Sequence, residues 1–286
     1  MDLTSKKVIK ALFKKYKIKP SKKLGQNFLI DKNVIRKFIH ACNLKSEDIV
    51  LEIGPGTGIL TQEIAKKTKK VVAIEKDQKM VRILNNELNG TKNVRIIQGD
   101  ILKIPNSRFK LPNSYKLVGN LPFYLTAPVI RKFLESERSP QEMIFMVQKE
   151  VAQRICAKPR TRTSSVRSRS PKMSILAVSV QVYAQPEIIS YVSKKSFWPQ
   201  PKVDSSIIKI TPKKSSTPPG GVDLFFRVVK AGFSHPRKQL VNNLSTELEM
   251  GKEKVKNWLL ENEIEPQQRA ETLEVKDWIN LTKTIK

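Results

Sequence analysis

Between residues 49 and 210 the chain alternates short apolar runs with stretches of helical periodicity. The runs at 49–53, 71–75, 94–98, 115–119, 143–148, 187–192 and 205–211 have the length and the Val/Ile content of strands. Between the early runs, "GILTQEIAKKT" and "QKMVRILNNEL" place apolar residues on one helical face. Strands separated by helices predict an α/β fold whose parallel sheet is covered on both faces, with ligands bound beyond the carboxyl ends of the strands. After residue 212 the texture changes. "KKSSTPPGG" at 213–221 predicts a linker, and the remainder, 222–286, reads as short helices such as "DLFFRVVKAGF" and "KEKVKNWLLENE". The expected organisation is therefore a larger domain over 1–212, a linker over 213–221 and a small helical domain over 222–286.

Two further segments modify this outline. Near the N-terminus, Ile9, Leu12, Phe13 and Tyr16 share one helix face, while nine lysines fall within the first 23 residues. That face could dock on the domain, lie on a membrane or serve in transit; docking, with the lysines facing phosphate, is the expectation. In "PRTRTSSVRSRSP", Arg160, Arg162, Arg167 and Arg169 stand among serines, without an acid and with almost no apolar residue. Such a stretch buries too little area to offset its ordering entropy, so a mobile loop is expected over about 159–171.

Charge narrows the class of partner. Against 26 Asp and Glu stand 54 Lys and Arg, a net +28 in 286 residues. A surface so basic favours a polyanion, with nucleic acid ahead of an anionic membrane. The sequence shows no apolar run of membrane-spanning length and no signal peptide, so a cytoplasmic protein is expected. Cys42 and Cys156 lack metal-ligand spacing, and His40 and His235 add too little for a zinc site; no metal is expected.

The ends of the first three runs carry candidate chemistry. In "IVLEIGPGTGILTQEIA", Gly54, Gly56 and Gly58 clear the Cβ atoms from a strand-to-helix turn, so that backbone can approach a ligand. Glu75 ends the second run, where a carboxylate can take both hydroxyls of a ribose. Asp100 follows the third, within reach of an adenine amino group. Glycine backbone, Glu and Asp in succession suit a nucleoside. "GPGTG" is not G-x-G-x-x-G, and no Walker lysine appears, so S-adenosylmethionine fits better than NAD or ATP.

The fourth run ends in "NLPF". Asn120 offers a side-chain carbonyl, and Leu121 or Pro122 a backbone carbonyl held by the fixed φ of proline. Two acceptors side by side can take both N6–H bonds of an adenine, localise the nitrogen lone pair and aim it at a methyl group. Phe123 then presents a face on which an extruded base can stack.

"KKLGQNFLID", "LEIGPGTGILT", "IEKD", "QGD", "VGNLPFYLTAPVI", "MVQKEVAQRI" and "FWPQPKVDSS", in this order, resemble the ribosomal RNA adenine N6,N6-dimethyltransferase family over nearly the whole chain, "FFRVVKAGFSHPRKQLVNNL" included. The resemblance implies a Rossmann-like, seven-stranded methyltransferase sheet whose last strand is antiparallel, with a small C-terminal all-α domain. It implies S-adenosylmethionine as methyl donor and two adjacent adenosines near the 3′ end of small-subunit rRNA as target, in the RNA or the pre-30S particle. Carried over by motif, Asn27 and Leu29 close over the cofactor, Gly54 and Gly56 underlie it, Glu75 holds ribose, Asp100 binds adenine and Asn120 bridges cofactor and target. Phe197 matches the ring facing the flipped base from the other side; from its own surroundings it reads as core. The chain departs from the family pattern in Phe123, where Tyr is common, in His235, and in the Arg/Ser segment.

Two alternatives share these features. A large-subunit adenine methylase of the macrolide-resistance type would have the same catalytic residues, although "NLP" and "FFRVVKAGFS" favour the small-subunit branch. A mainly non-catalytic rRNA-binding assembly factor would have the same charge. Nothing in the sequence calls for an obligate dimer, and a monomer is expected.

Overall fold

The computed structural model describes residues 3–159, 171–213, 218 and 220–285. The expected Arg/Ser loop and most of the expected linker lie outside the described residues. Seven strands form one sheet: β1 (Ile49–Ile53), β2 (Lys70–Glu75), β3 (Val94–Gln98), β4 (Lys116–Asn120), β5 (Glu142–Gln148), β6 (Ala184–Val192) and β7 (Ser205–Pro212). Their order is β3-β2-β1-β4-β5-β7-β6. Strands β1 to β5 pair in parallel, and β7 runs antiparallel to β5, with Gln148 opposite Ser205. The order reverses direction between β1 and β4. A crevice therefore opens at their carboxyl ends, the place where sheets of this type bind ligands.

Eleven helices accompany the strands among the described residues: α1 (Lys6–Lys15), α2 (Lys32–Ala41), α3 (Ile59–Ala65), α4 (Gln78–Glu87), α5 (Thr126–Leu134), α6 (Lys149–Ile155), α7 (Ile175–Gln181), α8 (Val222–Gly232), α9 (Leu240–Glu247), α10 (Lys252–Glu261) and α11 (Val275–Thr284). Phe38 of α2 and Ile64 of α3 are fully buried in one cluster with Val118, Ile144 and Ile207 of the sheet. Helix α1 docks as its periodicity predicts. Ile9, Leu12 and Phe13 are buried with Phe28, Met80 and Ile83, and the Phe13 ring meets Phe28 edge-on at 5.1 Å.

The chain divides into two compact units: Met1–Ala152 with Glu187–Pro212, and Gln153–Pro186 with Lys213–Lys286. The expected single break near residue 212 is thus corrected. Residues 153–186 group with the C-terminal helices for identifiable reasons. Helix α7 packs on α8, the Tyr183 and Phe226 rings lie 6.4 Å apart, and Gln181 Nε2 donates to the carbonyls of Ile155 and Ala157 at 2.8 Å each. Within this unit Trp278 is buried against Gly232, where a Cβ would come within 2.4 Å of the indole.

A two-residue antiparallel ribbon was not predicted. Phe28 pairs with Trp198 and Leu29 with Phe197. Asp31 secures it: one oxygen accepts from Asn33 N at 2.9 Å and caps α2, while the other accepts from Ser196 Oγ at 2.9 Å. The ribbon brings the segment before α2 to the carboxyl edge of the sheet.

Candidate active site

A cleft at that edge is lined by Asn27, Leu29, Gly54, Gly56, Glu75, Asp100, Asn120, Leu121, Pro122, Phe123 and Phe197, so every site residue expected from the sequence is brought to it. Its empty volume, open mouth included, is about 1150 Å³. The floor is the turn after β1. Gly54 and Gly56 take φ of 67° and 57°, in the left-handed region where a side chain is strained. A Cβ at Gly54 would meet only the Asn120 carbonyl, at 3.9 Å, which puts the turn and the end of β4 side by side. Gly119 allows this approach, because a Cβ there would sit 2.6 Å from the Ile53 carbonyl.

Glu75 is 7% exposed and already engaged. One oxygen accepts from Asp77 N at 2.8 Å, the other from Gly56 N at 3.2 Å. Burial pushes its carboxyl above the ordinary range, against the pull of those two bonds. Below it, Glu52 is enclosed in the core and accepts from Thr61 Oγ1 at 2.6 Å; burial pushes it up to about 7. Asp100 pairs with Lys76 Nζ at 2.9 Å and accepts from Leu102 N at 3.0 Å. Burial raises its carboxyl, but the Lys76 ammonium and the Leu102 N–H outweigh that and hold it below its usual value. Behind this loop Lys132 Nζ donates to the carbonyls of Ile101 and Ile104 at 2.7 and 2.6 Å, tying α5 to the segment after β3.

The end of β4 is arranged differently. Asn120 Nδ2 donates to the Asn27 carbonyl at 3.0 Å. That carbonyl can only accept, so the amide orientation follows, and Oδ1 is turned away from it as an acceptor. Of the two backbone carbonyls named from the sequence, Pro122's accepts from Leu125 N at 3.0 Å; no donor meets that of Leu121 among the described residues. Asn120 Oδ1 and Leu121 O are therefore the two acceptors here that meet no donor among the described residues. Pro122 holds φ at −56°. Phe123 is 42% exposed at the mouth, whereas Phe197 is buried in the core cluster and also lines the cleft.

The segment over the cleft is held from both sides, by Asn120 and by Gln26 Nε2, which donates to Asp77 Oδ2 at 2.9 Å. Gln26, Thr57, Lys76 and Tyr124 were missed in the sequence. Lys76 lies between two carboxylates in "EKD" yet pairs with neither, but with Asp100 from the next strand end; Tyr124 is the second ring after the proline. A nucleoside-bearing cofactor fits these residues. Glycine backbone is bare at the floor, and the buried Thr57 hydroxyl meets no partner among the described residues.

Fold and site together define a Rossmann-like, S-adenosylmethionine-dependent methyltransferase. The ribosomal RNA adenine dimethylase family profile matches residues 3–286. The chain is 39% identical over 274 residues to "Ribosomal RNA small subunit methyltransferase A" of Dehalococcoides mccartyi, covering 95% of this chain and 90% of that protein. It is 38% identical to the protein of that name from Geobacillus thermodenitrificans, over 99% and 97%. A dimethyladenosine transferase from Plasmodium falciparum superposes with a TM-score of 0.72 at 28% identity, over 89% of this chain and 95% of that one. The 23S rRNA methyltransferase ErmE shares the fold, with a TM-score of 0.69 at 22% identity over 90% and 98%. The chain belongs to the ribosomal RNA adenine dimethylase family and is an rRNA adenine dimethyltransferase.

Proposed function

We propose that the chain transfers methyl groups from S-adenosylmethionine to N6 of two adjacent adenosines near the 3′ end of small-subunit rRNA, as a step of small-subunit assembly. The names of the relatives support the choice of subunit. The single observation that carries the chemistry is the Asn120 amide: its nitrogen is spent on the Asn27 carbonyl, which leaves its oxygen as an acceptor, in a residue that lines the cleft and whose backbone carbonyl lies beside the glycine turn.

In this reading Gly54 and Gly56 underlie the cofactor, Glu75 uses its remaining lone pairs on the ribose hydroxyls, and Asp100 accepts from the adenine amino group. Asn27 and Leu29 cover it. The bound cofactor supplies an electrophilic methyl group. Asn120 Oδ1 and Leu121 O accept the two N6–H bonds of the target base and turn the nitrogen lone pair towards that methyl. As N6 gains positive charge its N–H bonds become stronger donors, so both acceptors stabilise the transition state more than the ground state. A proton then leaves N6 to water. After the first transfer one N–H remains and one of the two acceptors suffices. Phe123 and Phe197 bracket the base, and its extrusion from the RNA stack gives the cleft access to N6.

No helix among the described residues is long and apolar enough to cross a membrane, and the reading places the protein with ribosomal particles in the cytoplasm, as a monomer. Small and large ribosomal particles, incubated separately with protein and methyl donor, should show N6,N6-dimethyladenosine only in the small-subunit RNA by mass mapping. Methylation confined to large particles would transfer the reading to the macrolide-resistance branch. Tight binding without methylation would leave an assembly factor.

A further inference from the structure

Close in the chain to Val147, Phe197, Pro201 and Ser205, which line the cleft, stands a group of basic and aromatic residues. Tyr191, at the end of β6, is 55% exposed, the most exposed large ring among the described residues. Lys149 Nζ sits 5.2 Å from the centre of that ring, so the tyrosine already carries a cation against its face. Asp204 assembles the surroundings: its carbonyl accepts from Lys149 N at 3.0 Å and its carboxylate from Lys194 N at 3.0 Å. Lys194 Nζ in turn reaches the Lys202 carbonyl at 3.5 Å, and Lys195 and Lys202 are exposed. An exposed aromatic ring with one lysine against its face, and three more lysines on the segment that follows it in the chain, has no role in the core.

The position is as informative as the composition. Each lysine lies within three residues of one that lines the cleft: Lys149 follows Val147, Lys194 and Lys195 precede Phe197, and Lys202 follows Pro201. Ser205, next to Asp204, lines it too. In the sheet order the cofactor residues end β1, β2 and the loop after β3; Asn120 ends β4; and this patch ends β5 and β6. The edge of the sheet thus runs from cofactor, through target base, to a cationic ring platform. An RNA strand whose adenosine is turned into the cleft must carry its neighbouring phosphates across the mouth. Bases next to an extruded one have lost a stacking partner, and an exposed tyrosine can replace it.

We propose that Tyr191 with Lys149, Lys194, Lys195 and Lys202 forms a single-stranded RNA subsite, stacking the base and gripping the phosphates beside the adenosine undergoing methylation. It rests on the proposed function for the identity of the RNA, and on geometry alone for the subsite. Full-length protein with Tyr191→Ala, Tyr191→Phe, Lys149→Gln and Lys195→Gln tests it, through steady-state methylation of small particles and anisotropy with a short unpaired RNA oligonucleotide. Tyr191→Ala should raise KM for the particle and weaken oligonucleotide binding by about tenfold, the scale of one lost base–ring stack. Its kcat and cofactor affinity should stay at wild-type values, and Tyr191→Phe should restore KM. Each lysine variant should reduce the salt slope of oligonucleotide binding by about 0.7, one phosphate contact to a single strand. An alanine variant with wild-type KM and oligonucleotide affinity overturns the subsite while leaving the methylation reading intact. Oligonucleotide binding that depends on Tyr191 in a protein that methylates no small-subunit RNA supports the subsite and overturns that reading. If the variants weaken only binding to anionic phospholipid vesicles, the surface is a membrane contact and the proposal fails.

Discussion

The two halves of the cleft are built on opposite principles. On the cofactor side, under β1 to β3, polar groups are largely paired before any ligand arrives: Glu75 holds two backbone N–H groups, and Asp100 holds Lys76 and Leu102 N. On the target side, at β4, one amide nitrogen is pinned, while its oxygen, a backbone carbonyl and an exposed Phe123 await a partner. A cofactor used at every turnover rewards a rigid, pre-satisfied receptacle. A base that must leave an RNA stack meets a site which only substrate completes, and its binding contributes to positioning.

The contrast can be broken most severely at Glu75. Glu75→Ala strands the Gly56 and Asp77 N–H groups and removes the proposed ribose acceptor; cofactor affinity by calorimetry should fall more than about a hundredfold, given roughly 1.5–3 kcal/mol for each bond to a charged partner. RNA binding should be unaffected. A smaller effect lies beneath the same turn, at Glu52. Its carboxyl rises from the ordinary 4.5 to about 7 in the fold, worth about 3 kcal/mol at roughly 1.4 kcal/mol per pH unit. The folded state binds the extra proton, so this stability is fully present below pH 4.5 and is lost as pH rises through about 7. Urea unfolding at pH 5 and 8 should show the loss, and Glu52→Gln should flatten it. Smallest, and on the target side alone, Phe123→Ala should lower kcat/KM for RNA by about tenfold through lost stacking, with cofactor affinity unchanged; Phe123→Tyr should match wild type.

Much of this contrast was legible in sequence, for physical reasons. The strands ending in Glu75 and Asn120 are short apolar runs stopped by an acid or by glycine, asparagine and proline, so their ends could be placed to within a residue. The cofactor residues follow from those ends. The ribbon of Phe28–Leu29 with Phe197–Trp198 was hidden because two-residue strands far apart in the chain carry no periodicity. The grouping of 153–186 with the C-terminal helices was hidden too, since α7 is short and its choice of α8 is purely tertiary. Phe197 reads as core from its neighbours and is core, yet it also lines the cleft; only the family resemblance suggested the second role. The state of the Asn120 amide could not be read at all, because the group that orients it lies 93 residues away.

That amide gives the most direct test of the account. Single-turnover methyl transfer to small-subunit particles by Asn120→Ala, with particle binding measured in parallel, should show transfer reduced at least about a hundredfold, the scale of losing one preorganised polar group at a reacting centre, while binding persists. Wild-type transfer by that variant would contradict the central claim that the Asn120 carbonyl aims the adenine nitrogen.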